Sequence, residues 1–252
     1  MGAKTGLLVY SDGNAADALR HAVALDARGT ADLVALIYPG WQVVPAEGSS
    51  LGEGTYPRDG VSYMASLDSG VDVVCDQRLM DYRPSQLPEH LVRASAGRRM
   101  VLHAMHSVVD ALTFAVWEDG ELVRSLSVSP DSGVVENIGS PYDFEVPYWA
   151  GAHPVEPWPD GDDPEPYPLP FHPLELGEAV LRALVGFVLE GHAHPDDVDP
   201  YALLMNGYLL TDPDGPDPAE ERAAMERAVR AMRLRRSVRF NTDGTVTKLE
   251  LP

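Results

Sequence analysis

Four side chains with reactive chemistry crowd into one short stretch: His103, His106, Ser107 and Asp110. A histidine beside a carboxylate can serve as an oriented base, and a serine within its reach as a nucleophile. The spacing works against that arrangement. Residues three apart on a strand point to opposite faces, so His103 and His106 converge only if the chain turns between them. Ser107 also lacks the Gly-x-Ser-x-Gly elbow that exposes a nucleophile on a sharp turn. The competing role for this group is to satisfy hydrogen bonds at a sheet edge.

A second group, His192-Ala193-His194-Pro195-Asp196-Asp197, is the best metal candidate. Alternate histidines in an extended segment lie on one side, and the two aspartates, Asp196 and Asp197, could complete a nitrogen–oxygen shell. A third firm ligand is missing unless His153 or His172 folds back. An exposed loop after a helix is the competing reading. Ser11-Asp12-Gly13-Asn14 follows a strand and precedes a helix, a common ligand position in α/β sheets. It has no Gly-x-Gly-x-x-Gly or Walker pattern, so helix capping is the default role for Asp12. Asp131 with Ser132-Gly133, and Glu136 with Asn137, look like turn and strand-end residues. A cleft shared by His103, His106, Asp110, Asp12 and Glu136 would favour an enzyme.

From 125 to 181 the chain contains no lysine or arginine, a window of 57 residues with 11 acids, 11 prolines and 7 aromatics. Proline removes backbone donors and fixes φ, so this stretch cannot form an ordinary helix or central strand. It is too aromatic for a plain disordered linker. The composition predicts an extended arm over residues 140–173 that packs rings on a folded body and shows carboxylates to water. Rings beside carboxylates offer a cationic side chain a π face and a counter-charge. Tyr148, Trp149, Trp158, Asp160, Asp162 and Asp163 are the candidate binding residues. Anchoring of the loop by its rings is the competing role.

The formal net charge is −20 over 252 residues. Nucleic-acid phosphates and anionic membranes demand clustered positive charge, so neither is an expected partner. A basic protein partner, or self-association through an arginine-rich tail with seven arginines from Arg222 to Arg239, fits better. The single cysteine, Cys75, ends an apolar run and reads as a buried structural thiol. No segment has the roughly 20 apolar residues needed to cross a bilayer, and no basic-then-apolar leader opens the chain. The cytoplasm is therefore the expected compartment. No cofactor is expected.

The elements that must position these residues follow from periodicity. Strands are expected at 6–10, 61–67, 71–75, 100–105, 112–118, 121–129 and 134–138, with Asp119-Gly120 as a tight hairpin turn. Helices are expected at 15–27, from Thr30 to Ile37 after a stop at Gly29, at 88–96, at 174–190 and at 217–233. The stretch 41–60 reads as a loop with a possible short strand at 41–44, and 199–210 is ambiguous. A last hairpin covers 237–251. Hairpins outnumber βαβ crossovers, which predicts an α+β fold: a mainly antiparallel sheet with helices on one face and a long surface arm. Residues 1–212 are expected to form one domain and 213–252 an arginine-rich helix plus hairpin.

The opening Gly2-Ala3-Lys4-Thr5 with Leu8-Val9-Tyr10-Ser11-Asp12-Gly13 resembles the start of a set of uncharacterised actinobacterial proteins. Leu102-His103-Ala104-Met105-His106-Ser107-Val108-Val109-Asp110, Ser129-Pro130-Asp131-Ser132-Gly133 and Pro168–Glu178 add to the resemblance. It extends to about Gly191 and implies a domain of unknown function in a bacterial cytoplasm, with no activity attached. The expectation is a non-catalytic binding or regulatory module that recognises a basic segment. The alternative is a small hydrolase or metal-dependent enzyme using the His103, His106 and Asp110 region. Inhibition of a basic toxin or enzyme would also suit the charge.

Overall fold

The computed structural model describes residues 2–22, 24–81, 83–155 and 167–215, together with Ala223 and the strands Ser237–Phe240 and Val246–Leu249. The chain divides into two units, Met1–Thr211 and Asp212–Pro252. In the second unit, Ser237–Phe240 and Val246–Leu249 pair antiparallel. Of the helix expected at 217–233 only Ala223 falls among the described residues, and it is helical.

The first unit is built on a nine-stranded sheet. Its strands are β1 (Lys4–Ser11), β2 (Gln42–Ser50), β3 (Val61–Leu67), β4 (Val71–Cys75), β5 (Arg99–His106), β6 (Ala111–Glu118), β7 (Glu121–Ser129), β8 (Gly133–Ile138) and β9 (Leu204–Thr211). Their order is β2-β9-β3-β4-β1-β5-β6-β7-β8, and every pairing is antiparallel. The fold is α+β with an antiparallel sheet. Strands β5 to β8 form a meander. At the β6–β7 turn Asp119 and Gly120 take φ of 50° and 81°, the positive values this two-residue connection requires.

Both faces of the sheet are apolar, and both are covered. Leu7, Val9, Val73, Phe114 and Val116 point to one face, where α1 (Ala15–His21) and α6 (Pro173–Leu184) pack. Leu8, Tyr10, Val74, Leu102 and Trp117 point to the other, under α2 (Ala27–Ile37) and α4 (Glu89–Arg93). The expectation of helices on one face is therefore corrected. The central strands bury successive residues, not alternate ones, so a cover is needed on each side.

Three element boundaries also differ. The first helix stops at His21, and α2 restarts at Ala27 because the Asp26 carboxylate accepts the Arg28 amide as N-cap; Gly29 sits inside that helix. Residues 42–50 form the edge strand β2, followed by the short helix α3 (Leu51–Gly54). Helix α6 ends at Leu184, where Gly186 takes φ of 93°, well before Gly191.

Gly6, in β1, lies against the backbone after β4. A Cβ there would sit 2.2 Å from the Asp76 carbonyl oxygen, which cannot move without breaking the strand pair. Gly6→Ala is expected to destabilise the fold by about 1–3 kcal/mol or more, read as a lower urea midpoint at unchanged m-value.

Candidate functional site

The sheet separates the residues singled out for catalysis. His103 and His106 sit on one continuous strand, β5, and face opposite sides. His103 is fully buried against α6. Its Nε2 donates to the Gly177 carbonyl at 3.0 Å, which leaves Nδ1 to accept from the Thr5 hydroxyl at 2.8 Å. Thr5 Oγ1 in turn accepts the Met105 amide at 2.9 Å. Burial lowers the His103 pKa to about 4, the Gly177 bond opposing it, so the ring is neutral with both nitrogens spent. His106, on the other face, meets the Tyr56 ring edge-on at 5.7 Å, and its Nδ1 accepts the Val108 amide. Desolvation and then the Lys4 ammonium lower its pKa. Ser107 donates its amide to the Ala3 carbonyl.

Asp12 and Glu136 do not join these groups. β1 pairs Lys4 with His106 at one end and Ser11 with Arg99 at the other. At the usual rise per residue those ends are roughly 25 Å apart. Asp12 lines two adjoining open clefts, one with Asp17, His21 and Asp68, the other with Arg98, Arg99 and Glu118. Arg98 also bonds Asp72 at 2.6 Å. Glu136, on β8, is consumed by the Ser85 amide and hydroxyl and the Ser125 hydroxyl. It ties the turn Pro84–Gln86 to the sheet.

The metal candidates lie in the loop after α6. His194 and Asp196 are exposed and 3.6 Å apart. Asp197 is held by Arg182 and by the His194 amide at 2.7 Å. Burial pushes its carboxyl up, but those hydrogen bonds and the Arg182 charge outweigh it and leave it lowered. The His192 carbonyl accepts from Arg182. Among the described residues no three His, Cys, Asp or Glu side chains are grouped to hold a metal ion.

The arm is pinned by a contact that the sequence does not advertise. Arg124, 1% exposed, makes a bidentate pair with Glu145, 0% exposed, at 2.9 and 2.6 Å. The guanidinium also donates to Asn137 and to the Ser125 and Ile138 carbonyls, and it lies over the Phe114 ring. Glu145 additionally accepts the Tyr142 amide. From that anchor the arm runs into α5 (Val146–Trp149). Tyr148, Leu169 and Phe171 enter the core, and Trp149 packs edge-on to Phe171. Tyr148 is 7% exposed, and its ring stacks on His153 at 4.0 Å. Its role as an anchor accounts for its position. Trp158, Asp160, Asp162 and Asp163 lie outside the described residues.

Beyond the anchor, two polar groupings flank the start of α6. His153 Nδ1 lies 2.7 Å from Glu175, whose side chain is half exposed. His172 caps the helix: its Nδ1 accepts the Leu174 amide, which leaves the other ring nitrogen, Nε2, outside the cap. That nitrogen is 3.7 Å from Asp110, beyond hydrogen-bonding distance. Asp110 sits at φ of 46° in the β5–β6 turn. Tyr167 stacks on His172 at 5.6 Å, with its hydroxyl buried and without a hydrogen-bond partner among the described residues. Burial, then the Asp110 charge, push its pKa up to about 12.

Sequence reasoning also missed a cradle on the opposite face. Asp76, 1% exposed, accepts from the Tyr38 hydroxyl and from the Arg78 amide and Nε at 2.8 Å each. The Arg78 guanidinium lies 5.1 Å from the Tyr38 ring centre and 4.7 Å from that of Trp41. The signal was Asp76-Gln77-Arg78 directly after a strand, where the carboxylate caps the turn that carries the arginine.

No helix among the described residues is long and apolar enough to cross a membrane. No curated protein and no solved structure matches the chain. One family model does match, over residues 5–208, the span that holds the sheet, the arm and α6. The chain belongs to that family, described as a family of unknown function (DUF6928).

Proposed function

We propose that the chain is a non-catalytic binding or regulatory module that receives a basic protein segment at the Asp110 end of its sheet. The observation that carries this reading is the pinned arm. Arg124–Glu145 holds it to the sheet, and its far end brings Tyr167 and His172 beside Asp110 and His153 beside Glu175, two carboxylates that remain 38% and 50% exposed. No lysine or arginine occurs in the sequence from 125 to 181 to neutralise that end. The partner is another basic protein or the arginine-rich segment of a second copy, in a cytoplasmic setting.

The distribution of reactive groups supports the same reading. His103 is locked between Thr5 and Gly177, His106 faces the other side, and Asp12 lies at the far end. An enzymatic reading retains one foothold, His153, whose ring is oriented by Glu175 as a general base would be. No serine, threonine or cysteine is bonded to that ring among the described residues.

Fluorescence anisotropy with labelled oligoarginine and oligoglutamate tests the proposal. The cationic oligomer is expected to bind and to weaken by at least tenfold between about 50 and 300 mM salt, as exposed ion pairs do. Glu175→Gln is expected to weaken it several-fold. Failure of any cationic oligomer to bind would count against the module. So would hydrolysis of model esters that disappears in His153→Ala.

A further inference from the structure

We propose that Asp110, the stacked Tyr167–His172 pair and the Val108–Val109 step of the same turn form a receptor for one arginine side chain. The inference rests on the binding reading above and names the group received.

The carboxylate at this spot lacks a complement among the described residues. The Asp110 carboxylate is 38% exposed, and its one ion-pair contact among the described residues is the His172 imidazole at 3.7 Å. It accepts no hydrogen bond from the described residues. The Tyr167 hydroxyl beside it is buried, with no hydrogen-bond partner among the described residues. The carboxylate calls for a ligand that supplies hydrogen-bond donors and positive charge. An arginine side chain supplies both through its guanidinium N–H groups. The stacked rings give its planar cation a π face. Val108 and Val109, 73% and 41% exposed, give its methylene stem an apolar surface.

The same chain already holds a guanidinium in this way. Arg78 takes Asp76 as its carboxylate and Tyr38 and Trp41 as its rings. Lysine would match the site less well, because a compact ammonium cannot form the two parallel bonds or lie flat on a ring.

The arginine can come from a second copy, whose residues 222–239 hold seven arginines, or from another protein. The probe is a labelled synthetic peptide of residues 221–240, titrated into the full chain. Asp110→Asn keeps a residue that tolerates positive φ and is expected to weaken binding at least tenfold; Tyr167→Ala, which removes the ring face, is expected to weaken it several-fold. A peptide with lysine at every arginine is expected to bind several-fold more weakly. Asp143→Asn, a change elsewhere on the arm, is expected to bind normally. Sedimentation of the full chain separates the sources: a dimer lost in Asp110→Asn supports a second copy, and a monomer that binds the peptide supports another protein. Equal binding by wild type and Asp110→Asn would overturn the receptor while leaving the binding module intact. No binding of the peptide or of oligoarginine would overturn both.

Discussion

Arg124→Ala is expected to cost the protein about 3–5 kcal/mol, the loss typical when one member of a buried ion pair is removed. Glu145 is wholly buried and would be left with only the Tyr142 amide as a described donor to its side chain. That is a large fraction of the ~5–15 kcal/mol that holds a domain together. The loss would be read as a fall in urea midpoint, and as early proteolytic cleavage in the arm, since Glu145 is the arm's ionic anchor. Arg124→Met combined with Glu145→Leu removes both charges and is expected to recover most of the stability. If the single and double variants unfold alike, the pair is not the anchor described here.

Acidification is expected to remove about 3 kcal/mol of stability through one side chain, His103. Its folded pKa of about 4 lies below its ordinary value of 6.5. Between those values the unfolded chain binds a proton that the folded chain refuses, so stability rises with pH through that window. The contribution is complete above about pH 6.5 and is lost as pH falls toward 4. The size follows from about 2.5 pKa units at 1.36 kcal/mol each. His103→Gln removes the titration while retaining a donor and an acceptor. Its urea midpoint should start lower at pH 7.5 and decline less by pH 4.5. Parallel declines in the two proteins would place the acid sensitivity elsewhere.

The parts of the fold that could be read in advance are those in which local chemistry and tertiary placement agree. Asp119-Gly120 demands a tight hairpin, and the structure places one there. Leu176, Val180, Leu181 and Leu184 repeat at helical spacing and form the buried face of α6. The edge strand β2 was harder to see. Pro45, Glu47 and Gly48 make Gln42–Ser50 look like a loop, and its pairing with β9 is a property of the backbone. The division of helices between two faces had a visible signal, the unbroken apolar run Leu7-Leu8-Val9-Tyr10, which leaves neither side of β1 polar. The site was less legible still. Asp110 was grouped with His103 and His106 by proximity in sequence, yet the histidine it meets is His172, 62 positions later. Arg124 and Glu145 are 21 apart with no periodicity to connect them. Such pairs are set by which turns end up side by side, and one-dimensional spacing does not carry that.

The position of β9 has a bearing on how the protein is made. It lies between β2 and β3, which precede it by more than a hundred residues. A ribosome that has released only the first 200 residues leaves β2 with no neighbour and β3 with one side unpaired. Completion of the sheet therefore waits for one of the last segments of this unit to be synthesised. Until then the growing chain exposes backbone that a chaperone, or a neighbouring nascent chain, can seize.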